Sequence, residues 1–369
     1  MTLYGKGLIV IAATSVLSLF ASCERQRRVY VPEPPPASVQ TIRIGAYASL
    51  TGPDAALGSA QLRGFELALR EWDATESLRF ELVTYDDRSR ASGAAAAVRR
   101  LVEDDSVVLV AGGLSAERAV AAFGTANPVH CVCPGCGPSQ ELAAAGVVGT
   151  APSERERADL LADLIVGTMG YSKVAILARE RSAASESAHE MSSAVRGALL
   201  ARGVQTGEPR TFTPESITEV LTSIVNDAPQ AVVVALDGRD AALVGRALRR
   251  RAVPAALLFT GAPDVDALPQ VDRAAALEGA YFPSLIVGQR SSALVRRLTE
   301  AVAEGHLDAV DEPALLGYAA GRRVVATLAH TPLSQPTEIG RRLRGPSELT
   351  PAIARIENGR PVPLAIPKR

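Results

Sequence analysis

Aromatic residues are scarce in this chain, 4% of 369 residues with a single tryptophan, so any core has to be aliphatic. Hydrophobic residues reach 47%, and that supply excludes disorder over most of the length. Neither sign of charge dominates: 39 Lys and Arg face 40 Asp and Glu, and no basic face stands out. Nucleic acid is therefore not an expected partner. Four cysteines are too few to build a disulfide scaffold. The chain also lacks G-x-x-x-x-G-K-[ST], G-x-S-x-G and H-E-x-x-H, which leaves phosphate-loop, hydrolase-elbow and zincin chemistry without support. His189, His306 and His330 are scattered, without partners at metal-ligand spacing. No nucleophile and base are placed together, so an enzyme is not expected, nor a cofactor.

What is present begins with an address. Sixteen uncharged residues, Gly7 to Ser22, follow Lys6 and are rich in Leu, Ile, Val and Ala. The run suits the h-region of a secretory signal and is short for the ~20 residues that span a bilayer. It ends at Phe20-Ala21-Ser22-Cys23 and turns polar at Glu24. Small residues before a cysteine resemble the bacterial lipobox, whose cysteine is diacylated and becomes the first mature residue. Phe20 departs from the usual Leu. The competing reading is an uncleaved membrane anchor; in both, the body is exported and held at a membrane surface, on the periplasmic side of the envelope. Pro32, Pro34, Pro35 and Pro36 then make residues 23–41 read as an extended, semi-rigid tether.

From Ile42 the periodicity alternates between strand and helix. Ile42 to Tyr47 reads as a strand, and Leu62, Phe65, Leu69 and Trp72 mark one face of a helix. Phe80–Tyr85 (strand), Ala91–Val102 (helix), Val107–Val110 (strand), Ala116–Thr125 (helix) and Val129–Cys133 (strand) continue the series. Continuous apolar runs such as Val107–Val110 suit parallel strands buried on both faces. The pattern restarts at Ser153, an N-cap with Glu154 and Glu156 in the first helical turn. Strands at Lys173–Ala178, Ala231–Leu236, Ala256–Thr260 and Gly279–Phe282 alternate with helices at Glu186–Arg202, Glu215–Asn226 and Asp240–Arg251. Two further helices, Ala293–Ala303 and Pro313–Leu328, follow. Two successive βαβ series predict an α/β fold with two doubly wound parallel-sheet lobes.

Ile42-Arg43-Ile44-Gly45, Leu50-Thr51-Gly52-Pro53, Ala56-Leu57-Gly58 and Gly64-Phe65-Glu66-Leu67-Ala68 resemble the opening of type I periplasmic-binding proteins. More narrowly, they resemble the leucine/isoleucine/valine-binding branch that serves ABC transporters. Asp86-Asp87, Val110 to Ser115, Thr150 to Ser153 and Pro229 to Ala242 extend the likeness over about residues 41–345. The resemblance implies two lobes joined by a three-segment hinge, with crossings near Ala151–Ser153, Phe282–Leu285 and Arg344–Thr350. Lobe one then comprises residues 42–152 and 285–345, and lobe two 153–284 and 346–369, after a signal over 1–22. It also implies closure around a small ligand, which couples occupancy to a shape that a membrane partner reads.

The ligand loops depart from that family. Its amino-acid-binding members capture the ligand carboxylate with hydroxyls and backbone N–H groups. Here the first such loop reads Ser115-Ala116-Glu117, with Ala116 where serine is expected. The second reads Cys133-Pro134-Gly135-Cys136-Gly137, with Gly137 at the hydroxyl position. Leu57 stands where an aromatic is frequent. On lobe two, Asp237 and Asp264 follow strands and are the acids available to a ligand cation. Leu57, Ser115, Ala116, Gly135, Cys136, Gly137, Asp237 and Asp264 are therefore the candidate ligand residues. The ligand is expected to be small and polar, amino-acid-like or amide-like, with free branched-chain amino acids disfavoured.

His130, Cys131, Cys133 and Cys136 fall within seven residues. A Cys133–Cys136 disulfide suits an exported protein. Buried inert thiols and a thiolate metal site completed by His130 or a lobe-two acid are the alternatives. The leading functional expectation is a binding lipoprotein, attached through Cys23, that delivers its ligand to an ABC permease. The alternative keeps the fold as a regulatory module for another envelope protein, as in relatives that activate cell-wall synthases.

Overall fold

The computed structural model describes residues 28–30, 40–73, 78–124, 129–180, 186–236, 238–269, 272 and 275–364. The signal, Cys23, most of the tether and Asp237 lie outside the described residues.

The apolar runs form two sheets. The first contains β1 (Arg28–Tyr30), β2 (Gln40–Ala48), β3 (Leu78–Asp86), β4 (Leu109–Gly112), β5 (His130–Cys133) and β6 (Val147–Gly149), in the order β1-β3-β2-β4-β5-β6. All pairs are parallel except β1, which runs antiparallel along β3 with Val29 opposite Val83. A stretch expected only to tether thus contributes an edge strand. The second sheet contains β7 (Lys173–Arg179), β8 (Gln205–Thr206), β9 (Arg210–Phe212), β10 (Ala231–Ala235), β11 (Ala256–Phe259), β12 (Tyr281–Ser284), β13 (Ala352–Glu357) and β14 (Arg360–Pro363). Its order is β14-β13-β12-β11-β10-β7-β8, with β9 also on β7. The chain is a two-lobed α/β protein.

Each sheet is buried on both faces because successive strand residues serve opposite cores. In β4, Leu109 and Ala111 pack with Leu62 and Phe65 of helix Ala55–Asp73, while Val110 faces Ala97 and Leu101 of helix Ala91–Glu103. In β10, Val232 and Val234 join Leu248 of helix Gly238–Arg250, and Val233 joins Leu161 and Val195 on the other side. Such a fully buried leucine is worth about 2–5 kcal/mol against alanine. Helices Ala55–Asp73 and Glu312–Ala329 approach backbone to backbone: a Cβ on Gly317 would lie 1.9 Å from the Gln61 carbonyl oxygen.

The chain passes between sheets three times. It leaves β6 for helix Glu154–Ala162 and β7, and leaves β12 through the short helix Leu285–Gly288 for the helices covering sheet one. It returns from helix Pro336–Leu343 to β13. Ser347 Oγ donates to the Thr150 carbonyl at 3.0 Å, and Leu285 N–H donates to Glu312 at 2.8 Å, so the crossings are pinned at their roots.

Several elements shift from the sequence expectation. β4 begins two residues late because Val107 and Val108 serve as a lead-in, their amides bonded to Leu101 and Arg43. β12 covers Tyr281–Ser284 because Gly279, at φ +71°, still belongs to the preceding turn. The helix from Glu154 ends in a π-helical turn, Asp163–Thr168.

Candidate functional site

In both sheets the strand order reverses at the first α/β strand, β2 in one lobe and β7 in the other. Loops beyond the carboxyl ends of strands at such reversals are where doubly wound sheets hold ligands. A cavity of about 320 Å³ lies there, between the lobes. Its wall is Leu114–Glu117 after β4, Gly135–Ser139 and Glu141 after β5, Ser153–Arg155 at the first crossing, and Glu190 from helix Glu186–Ala201 of lobe two. Five sequence candidates, Ser115, Ala116, Gly135, Cys136 and Gly137, meet in this wall. Leu57 does not; its side chain is half exposed on helix Ala55–Asp73. Asp264 is also elsewhere, accepting the amides of Asp266 and Ala267 at 3.0 and 3.3 Å. A larger cavity, about 620 Å³, opens around Lys173 and Gln205–Glu208 at the amino end of β7, away from these loops.

Three helices begin at the cavity, each capped by serine. Ser115 accepts the Arg118 amide at 3.4 Å and Ser139 the Leu142 amide at 3.2 Å. Ser153 and Glu156 form a reciprocal capping box: Glu156 N–H donates to Ser153 Oγ, and the Glu156 carboxylate accepts from the Ser153 amide and hydroxyl. Glu117, Glu141 and Glu154 stand in the first turns, where they complement the helix dipoles. That signal was available in the sequence; the convergence of Glu190, on the helix packed against Glu154–Ala162, was not.

Cys133 and Cys136 are disulfide-bonded with Cα atoms 5.3 Å apart, enclosing Pro134-Gly135. The ring is fastened to the first crossing, because Thr150 and Ala151 donate their amides to the Cys133 and Cys136 carbonyls at 3.2 and 2.9 Å. Gly137 packs flat on the same crossing: a Cβ there would lie 2.6 Å from the Pro152 oxygen and the Ser153 Cα. Cys131 is a buried free thiol, and burial pushes its pKa up. Among the described residues no three His, Cys, Asp or Glu side chains converge on a metal position.

Behind the wall, Arg118 ties the helix after β4 to the loop after β2. It donates to Ser49 Oγ at 3.1 Å and pairs with Asp54. Ser49 in turn donates to Asp87 at 2.7 Å. Burial raises the Asp87 pKa, against the lowering effect of the Ser49 and Ser89 hydrogen bonds and of Arg118. Burial would also raise neighbouring Asp86, but hydrogen bonds from Thr51, Arg88 and Leu50 outweigh it and hold that carboxyl low.

Glu154 is the most perturbed group in the wall. Burial pushes its pKa up to about 7; Arg157 opposes the shift and Glu190 reinforces it. Its Oε2 is shielded from solvent without a hydrogen-bond partner. Arg155, the basic residue of the wall, points outward, 89% exposed, toward Asp159 at 3.7 Å.

The fold has close counterparts. A leucine-binding protein from Thermotoga maritima superposes with a TM-score of 0.74 at 18% identity, covering 88% of this chain and 98% of that one. A branched-chain amino acid transporter substrate-binding protein from Streptococcus pneumoniae, solved with isoleucine, gives 0.72 at 18% identity, over 87% and 98%. An ABC-transporter solute-binding protein from R. palustris, solved with benzoate, gives 0.70 at 17% identity, over 88% and 95%. No curated protein sequence matches the chain significantly. Residues 41–340 match the sequence profile of the periplasmic binding proteins, and with that match, on a type I two-lobed fold, the chain belongs to this family.

Proposed function

We propose that the protein is the extracytoplasmic substrate-binding component of an ABC importer of the branched-chain-amino-acid type. It is lipid-anchored through Cys23 after loss of residues 1–22, and it carries a small polar ligand to a permease. The observation that carries this reading is the interlobe cavity at the carboxyl ends of the strands, walled by Ser115–Glu117 and Gly135–Ser139 on one side and by Ser153–Arg155 and Glu190 on the other. Three crossings give the lobes a common hinge, and a ligand touching both walls favours the closed arrangement by its differential affinity. The neighbours solved with isoleucine and benzoate make small organic ligands the natural class to test.

A second reading, a regulatory envelope lipoprotein with a degenerate cleft, is favoured by Ala116 and Gly137, which offer no hydroxyl where the family uses one. Thermal shift of the purified protein against amino acids, amides, amines and short peptides separates the two. A transported ligand raises the melting point in step with RT ln(1 + [L]/Kd). A flat response across the panel, with co-purification of an envelope enzyme, overturns the transport reading. Radiolabelled palmitate incorporation that persists in Cys23→Ser would exclude the anchor.

A further inference from the structure

We propose that the Cys133–Cys136 disulfide is a redox switch on the interlobe cavity, opened by a small dithiol and felt at the first crossing between the lobes. The switch operates whichever ligand the cavity takes, and its disproof leaves the transport reading standing. The two cysteines are only 3 positions apart, so chain entropy does little to hold the bond closed. Its halves are unlike. Cys136 belongs to the cavity wall, whereas Cys133 is fully buried behind it. A reductant entering through the cavity therefore meets Cys136 first.

The surroundings of Cys133 suit a thiol as well as a disulfide. Its Sγ lies 3.4 Å from the Gly113 carbonyl oxygen, an acceptor placed for an S–H that exists only after reduction. The Tyr47 hydroxyl is shielded from solvent and has no hydrogen-bond partner. It borders the same spot: a Cβ on Gly113 would lie 2.9 Å from the Tyr47 oxygen and 3.2 Å from Cys133 Sγ. Burial pushes the Tyr47 pKa up, so this donor keeps its proton. An orphaned buried donor is costly, and a sulfur released from the bond offers it an acceptor. Cys131 does not interfere, because burial holds it as an unreactive thiol.

In the opening step one thiolate of the dithiol attacks Cys136 Sγ, and the sulfur–sulfur bond breaks with its electron pair leaving on Cys133. Cys133 then takes up a proton. The second thiol of the reductant displaces Cys136, which leaves as a thiol, and the reductant departs as a cyclic disulfide. The protein gains two electrons and two protons, and the dithiol loses them. The change reaches the crossing because the Cys133 and Cys136 carbonyls accept the Thr150 and Ala151 amides. Once the ring opens, Gly135 in the wall and those two amides lose their common frame.

Hydrogen exchange and peptide-mapped maleimide labelling of the native full chain, before and after millimolar dithiothreitol, test the assignment. Cys136 is expected to label without denaturant while Cys131 does not, and the melt is expected to stay cooperative. Exchange at Thr150 and Ala151 should rise tenfold or more and return on reoxidation. The double variant Cys133→Ser, Cys136→Ser should show the same fast exchange without reductant. Tyr47→Phe should shift the thiol–disulfide equilibrium toward the disulfide threefold or more. A bond that yields only in denaturant, or a chain that unfolds globally on reduction, overturns the switch. Reduction that leaves exchange at Thr150 and Ala151 unchanged overturns it equally. An unchanged equilibrium in Tyr47→Phe overturns the part given to that hydroxyl.

Discussion

Ser347 holds the carbonyl of Thr150 at 3.0 Å, so the first and third crossings between the lobes share a single side-chain hydrogen bond. The same oxygen accepts the Leu349 amide at 3.2 Å, which shapes the returning segment. Ser347→Ala is expected to cost about 1 kcal/mol in urea denaturation, the ordinary net worth of such a bond. An unchanged midpoint would mean that these crossings are held by packing alone.

Arg118 bridges two loops through Ser49 and Asp54, with both charged side chains largely shielded. Arg118→Met keeps the aliphatic stem and removes the charge-assisted bonds. A loss of about 2 kcal/mol is expected, and Asp54→Asn in the same background should add little. A double-mutant cycle reads this directly, and full additivity would rule out the coupling.

The raised pKa of Glu154 makes stability depend on pH with a definite sign. Below its ordinary value near 4.5, folded and unfolded chains both hold the proton, and no difference arises. Between there and about 7 the folded chain keeps a proton that the unfolded chain has released, so stability falls as pH rises through this window. Glu154→Gln removes the effect. The variant should therefore gain about 1–3 kcal/mol on the wild type between pH 4 and pH 8. Parallel stability profiles for the two proteins across that range would contradict the assigned burial.

Gly137→Ala pushes a methyl against backbone atoms of Pro152 and Ser153 that stand 2.6 Å from its position. Those atoms belong to the first crossing and have little freedom to yield. A destabilisation of about 1–3 kcal/mol is expected. The melting temperature and the affinity of any ligand should fall together, because the same contact forms the cavity wall. A neutral substitution would show that the crossing can retreat.

Strands built from uninterrupted apolar residues were legible in the sequence because burial on both faces demands such runs; β10, Ala-Val-Val-Val-Ala, is the clearest. The start of helix Glu154–Ala162 was equally plain, since a capping box is local chemistry. Shorter elements escaped periodicity: Gln140–Ala144 and β6 contain too few residues to express a repeat. The β13–β14 hairpin carries a sharper mark, Asn358-Gly359, both left-handed at φ +51° and +71°. That signal speaks of a turn and not of which sheet receives it. The candidate site divides in the same way. Ser115 and Gly135–Gly137 follow strands, where ligand loops are anticipated, whereas Glu190 reaches them only because helix Glu186–Ala201 packs on helix Glu154–Ala162 beside the first crossing.

Strand β1 has a geometric consequence for the envelope. With Arg28 already hydrogen-bonded along the flank of β3, only five residue steps separate it from Cys23. Fully stretched, they reach about 18 Å. On the proposed acylation of Cys23, that length is the whole leash, and it would keep the β1 margin of lobe one within reach of the lipid surface.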